Sequence, residues 1–204
     1  MTDSDSTKKN LSRQEQRDLD IEIDFLEGVL KRDRRYVEAL QLLGDDYTRR
    51  GRFEDGLQVD RRLARLCPDD PLVYYNLACS FSLTAEYRKA ANALRKAIHY
   101  GYRDFAHLRR DKDLVPLREQ PIYVALEKEI TQLETDSLVY YNLACSFSLT
   151  AEYRKAANAL RKAIHYGYRD FDHLRRDKDL VPLREQPIYA ALKKEITQLE
   201  AELG

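Results

Sequence analysis

The 204-residue chain carries 35 basic and 35 acidic residues, so its formal net charge is zero and no whole-chain field draws it toward nucleic acid or an anionic membrane. Glycine and proline are scarce and tryptophan is absent. The dominant Ala, Leu, Glu, Lys and Arg lose little side-chain freedom in a helix, which describes a soluble all-α protein. The three cysteines, Cys67, Cys79 and Cys145, lack CxxC spacing and are odd in number, which argues against a disulfide framework or a thiolate metal site.

In chain order, residues 1–12 are polar, without the apolar core of a signal peptide, and are expected to form a disordered tail. No apolar run approaches the length that spans a bilayer, so a reducing cytoplasm is the expected location. Residues 13–36 hold an N-terminal helix from about Gln14 to Arg32, with Ile21, Phe25, Leu26, Val29 and Leu30 as its apolar stripe. This helix is expected to pack against Val37–Arg50.

Residues 37–70 place Leu40, Leu43, Gly44 and Tyr47 on one grid, followed by Gly56, Ala64 and Pro68, with Gly51 at the turn between two helices. Residues 71–104 repeat the grid with Tyr74, Leu77, Ala78 and Phe81, then Ala90, Leu94 and Ala97, with the turn at Thr84–Ala85. Asp70 stands where a carboxylate accepts a free backbone N–H, and Pro71 suits the first helical turn. Residues 105–136 differ, because Pro116 and Pro121 break the pattern. Asp104 and Asp113 are read as caps of two short helices, and Pro121 opens a longer one ending near Glu134, with Ile122, Leu126, Ile130 and Leu133 on its buried face.

Residues 72–134 then recur as residues 138–200, shifted by 66, so that 137–170 copies the hairpin 71–104 and 171–204 copies 105–136. Only three positions differ: Ala106 becomes Asp172, Val124 becomes Ala190 and Glu127 becomes Lys193. Ancient duplications retain a sparse pattern, so this copy is either very recent or engineered. An internal unit of a repeat array must offer its outgoing face to a neighbour, whereas a terminal one keeps that face wet. Ala106, Val124 and Glu127 are therefore expected at an interface between repeats, converted from a former terminus. At the second joint, Asp136 stands before Ser137 as Asp70 stands before Pro71, and a new helix is expected to start there.

The large–small alternation at these offsets resembles the tetratricopeptide repeat, and the broken units resemble the end-of-group unit that closes some bacterial arrays. The resemblance implies an all-α, tetratricopeptide-like α-α superhelix, a right-handed solenoid of helical hairpins. It also implies a non-enzymatic scaffold that binds a protein or peptide in a groove lined by the first helix of each hairpin. By offset from the packing residues, that groove shows Glu38, Gln41, Asp45 and Arg49, then Tyr75, Asn76, Cys79 and Ser82, then Tyr141, Asn142, Cys145 and Ser148. Some members clamp a C-terminal carboxylate, but of that clamp only Asn76 is matched here, and Asp45 would repel such a ligand.

Each candidate has a plainer alternative. Asn76 and Asn142 serve a bound backbone or tie adjacent hairpins together. The bases Arg109, Arg110, Lys112 and Arg118 are interrupted by Asp111, Asp113 and Glu119, which suits a solvated, internally paired face better than nucleic-acid binding. His99 and His107 have no ligand array at metal spacing, and Cys79 and Cys145 have no paired base. No catalytic, metal or cofactor site is expected. The leading reading is an array lengthened by engineered duplication, in which an apolar end can also stack on a second copy. The alternatives are a natural bacterial adaptor with a tandem duplication and a helical-repeat RNA binder.

Overall fold

The computed structural model describes residues 11–203; the expected tail lies almost wholly outside them. Every regular element among the described residues is helical. The chain divides into two compact units, residues 1–126 and 127–204.

In the first unit, α1 (Arg13–Arg32) begins at a capping box, in which Ser12 Oγ accepts from the Glu15 N–H and the Glu15 carboxylate accepts from the Ser12 N–H. Its buried stripe is Leu19, Ile23, Leu26 and Leu30, which corrects the expected one. Ile21 and Phe25 are each 68% exposed, because at about 100° per residue Ile21 falls nearly opposite the centre of the buried stripe and Phe25 about 130° from it.

Helices α2 (Val37–Arg50) and α3 (Phe53–Leu66) form the first hairpin, joined through Gly51 at φ 80°, a left-handed position that favours glycine. Where they cross, a Cβ on Gly44 would lie 3.3 Å from Asp60 Oδ1 and 3.6 Å from Val59 Cγ1. Helices α4 (Pro71–Leu83) and α5 (Tyr87–His99) form the second hairpin. The Asp70 carboxylate accepts from the N–H groups of Leu72 and Val73, as its position before Pro71 predicts. Within this unit, α1 packs on α2, α2 on α3, α3 on α4 and α4 on α5.

The broken stretch contains α6 (Phe105–Arg110), a 3₁₀ turn at Lys112–Leu114 and α7 (Val115–Arg118). Asp104 caps α6, as expected. The second cap is Asp111 and not Asp113: the Asp113 N–H donates to Asp111 Oδ1 at 2.9 Å.

The helix α8 runs without interruption from Pro121 to Leu149, so the helix start expected at Ser137 is absent. The first joint carries Pro68 and Pro71, which forbid a continuous helix, whereas Thr135-Asp136-Ser137 contains no breaker. The hydroxyls there turn back on the helix: Thr135 donates to the Thr131 carbonyl and Ser137 to the Glu134 carbonyl.

The second unit comprises the remainder of α8 with α9 (Tyr153–His165), α10 (Phe171–Arg176), a 3₁₀ turn at Lys178–Leu180, α11 (Val181–Arg184) and α12 (Pro187–Leu203). Its core gathers Tyr141, Ala144, Leu160, Phe171, Leu174, Leu183 and Leu192. Among the described residues no helix is long and apolar enough to cross a membrane.

Candidate functional site: an acidic groove on the first unit

An open groove of about 300 Å³ lies on the first unit, lined by Asp45, Thr48 and Arg49 of α2, Asp60 of α3, Tyr75, Asn76, Cys79 and Ser80 of α4, and His107, Asp111 and Asp113 of the broken stretch. Asp45, Arg49, Tyr75, Asn76 and Cys79 thus line one groove. Gln41 is exposed and does not line the groove, and neither does Glu38. Ser82 is a correction: it is buried, and its Oγ accepts from the Leu117 N–H at 3.2 Å. Ser148 does the same for the Leu183 N–H. These hydroxyls anchor the prolyl turns instead of meeting a ligand.

The groove is organised around Asp111. Tyr75 donates its phenolic proton to Asp111 Oδ2 at 2.5 Å, and the Cys79 thiol donates to the same oxygen at 3.6 Å. His107 Nε2 stands 3.6 Å from that oxygen. The Tyr75 ring stacks on Tyr102 with centroids 4.4 Å apart. Burial, the neighbouring Cys79 and the Asp111 hydrogen bond all raise the Tyr75 phenol, and burial with Asp111 and Asp113 raises the Cys79 thiol, so both act as protonated donors.

Asp60 forms a second acidic point. It is 6% exposed, and its Oδ2 accepts from Ser80 Oγ at 2.5 Å. Burial pushes its carboxyl up to about 6, against the Ser80 hydrogen bond and with help from Asp45. Desolvation likewise raises Asp45, against the pull of Arg49, and raises Asp113, which also feels Asp111 and Asp45. Four carboxylates therefore share a groove whose basic side chains are Arg49 and His107. Neither the Asn76 nor the Asn142 side-chain amide makes a hydrogen bond among the described residues, so neither ties hairpins together there.

The second unit repeats the inner cluster. Tyr141 donates to Asp177 Oδ2 at 2.5 Å, Cys145 donates to it at 3.5 Å, and Tyr141 stacks on Tyr168. Burial raises the Cys145 thiol to about 12. Burial also pushes Asp177 up, but hydrogen bonds from Tyr141, the Asp179 N–H and Cys145 outweigh it and leave the carboxyl lowered. Cys145, Asp177 and Asp179 lie close enough to share an ion. The thiol is a hydrogen-bond donor in this arrangement, however, and its raised pKa opposes the thiolate that metal binding requires.

The remaining singled-out residues are dispersed. Ala106 and Val124 lie exposed on the first unit, and Glu127 is partly buried at the start of the second. Of the bases, Arg118 and Arg184 donate to the carbonyls of Leu108 and Leu174, while Arg175 pairs with Asp172 and Glu200.

Successive antiparallel hairpins with small residues at their crossings define a helical-repeat protein. Residues 37–78 match the family described as "Tetratricopeptide repeat", and the repeated helical hairpins of the chain are consistent with a tetratricopeptide-like helical repeat. These repeats generally mediate contacts between proteins and are generally not enzymes. The chain is also similar to a chloroplastic protein of Arabidopsis thaliana, 28% identical over 109 residues. That alignment covers 52% of this chain and 31% of the relative, so the chain spans about a third of the relative's length.

Proposed function

We propose that the protein is a non-enzymatic scaffold whose first unit holds an extended peptide in the acidic groove, with a lysine or arginine side chain of the partner seated among Asp45, Asp60, Asp111 and Asp113. The observation that carries this reading is the convergence of four carboxylates, three of them raised by desolvation, on a groove lined by two basic side chains. A guanidinium or ammonium entering there relieves both repulsion and desolvation. Asn76, exposed beside Tyr75, offers a donor and an acceptor to the peptide backbone.

The test is fluorescence anisotropy with labelled ten-residue peptides that differ only in a central Arg, Lys, Ala or Glu. Arg and Lys peptides bind, and Asp45→Asn and Asn76→Ala each weaken them about three- to tenfold, in line with charge-assisted hydrogen bonds. Equal affinity for the Glu peptide refutes the reading. Tight, salt-dependent uptake of single-stranded RNA would favour the RNA-binding alternative instead.

The duplication belongs to the same proposal. The 66-residue repetition lengthens an array, by design or by recent tandem duplication, with Ala106, Val124 and Glu127 adapting a former terminus to a neighbour. Val124 is 61% exposed, an apolar side chain offered to such a neighbour where the second copy has only Ala190. A cytoplasmic setting suits three free cysteines.

A further inference from the structure

Two stretches of identical sequence, Leu72–Leu83 and Leu138–Leu149, are packed differently. Val73 is 2% exposed and Leu77 is 7% exposed, whereas their copies Val139 and Leu143 are 56% and 39% exposed. Ser80 is buried and donates to Asp60, whereas Ser146 is exposed and donates to the carbonyl of Asn142 in its own helix. Glu86 pairs with Arg61 of α3 at 2.9 Å as well as with Lys89, whereas Glu152 pairs with Lys155. The Arg61 guanidinium also lies 5.3 Å over the Phe81 ring. Every loss has one origin: in the first copy this face is covered by α3.

The sequence identity turns that difference into information about the missing occupant. A face of the same residues, in the same helical register, accepts an amphipathic helix in the first unit. The chemistry of that helix is known: aliphatic Leu57 and Leu63, the Asp60 carboxylate against the serine, and the Arg61 guanidinium against the glutamate. We infer that the exposed face of α8 formed by Val139, Leu143 and Ser146, with Glu152 at its margin, is a docking site for a partner helix of α3 chemistry. Such a helix carries aliphatic residues on one face, a carboxylate that accepts from Ser146 and an adjacent arginine that pairs with Glu152. This site lies on the second unit and is independent of the acidic groove.

The probe is a fluorescently labelled peptide spanning residues 36–68, added in trans to the full chain. Saturable binding is expected, weakened at least tenfold by Val139→Asp or Leu143→Asp and severalfold by Glu152→Arg. A peptide bearing Arg61→Glu should recover affinity for the Glu152→Arg chain. Both aspartate variants alter exposed positions, and circular dichroism verifies that their helices persist. Absence of binding at 100 μM peptide (a concentration on the order of the micromolar-to-millimolar range of weak association), or binding indifferent to Leu143→Asp, overturns the inference. So does a concentration-dependent dimer, seen by light scattering and abolished by Leu143→Asp, without peptide uptake. In that case the face pairs with its own copy.

Discussion

Asp60→Asn separates the electrostatic cost of the groove from its packing. The folded state raises this carboxyl from 3.8 to about 6, and each unit corresponds to about 1.4 kcal/mol, so ionised Asp60 opposes folding by about 3 kcal/mol at neutral pH. Because the folded pKa is raised, the stabilisation tied to the protonated acid is complete below the unfolded value and is lost as pH rises through about 6. Asparagine retains an acceptor for Ser80 Oγ but places an amide donor near Gly44, at a cost of about 1 kcal/mol if it is imperfectly paired. The substitution should therefore stabilise the first unit by about 2 kcal/mol at pH about 7.5 and be neutral to slightly destabilising at pH about 4. Native-state hydrogen exchange of the α2, α3 and α4 amides, at pH values spanning that window, reads this unit apart from the second. A difference between variant and wild type that does not change with pH refutes the electrostatic account.

Other expected outcomes follow from the same geometry. Affinity for an arginine-bearing peptide should fall as pH drops through about 6, the value to which burial raises Asp60, and Asp60→Asn should weaken this pH dependence, leaving the part that Asp45 and Asp113 contribute. Ser82→Ala and Ser148→Ala each orphan a buried N–H, of Leu117 and Leu183 respectively, and should cost about 1–3 kcal/mol in denaturant melts. Val124→Ala alters an exposed side chain and should shift the stability of the monomer by less than about 0.5 kcal/mol. Ser137→Pro removes a helical N–H inside α8 and should cost about 3 kcal/mol of helix stability, with lower ellipticity by circular dichroism.

The hairpins were legible because their determinants are local: a cap at Asp70, a glycine at φ 80° in Gly51, and small residues spaced for close crossing. The groove side of α4 was legible for the same reason, since Tyr75, Asn76 and Cys79 follow from helical offset. Asp60 was not found, because it belongs to the second helix of its hairpin and reaches the groove where glycine at position 44 leaves room. An acid on the buried face of α3, between Val59 and Leu63 and opposite a glycine, was the available signal. Asp111 escaped because its role depends on a non-helical turn between two short helices, beyond the reach of periodicity. The continuity of α8 was hidden by analogy with the first joint; the absence of proline at 135–137 was the better guide.

The near-identical halves also separate what one repeat encodes from what two successive hairpins create. The tyrosine–aspartate–cysteine cluster is formed in both copies with matching distances, so it belongs to a single hairpin and its broken unit. The buried acid at about 6 belongs to the pair, because Asp60 comes from the preceding hairpin and is held by a serine whose copy, Ser146, is exposed. The recurrence of residues 72–134 at 138–200 therefore repeats the cluster without repeating the groove. It also leaves Val139 and Leu143 in the state Val73 and Leu77 would occupy if α3 were stripped away. Supplying an α3-like helix to that face would place a carboxylate beside Ser146 and create a second acidic groove next to Tyr141 and Asn142. The scaffold's cationic-peptide capacity should then double from one site to two per chain, and titration calorimetry with the hairpin peptide already bound would count them.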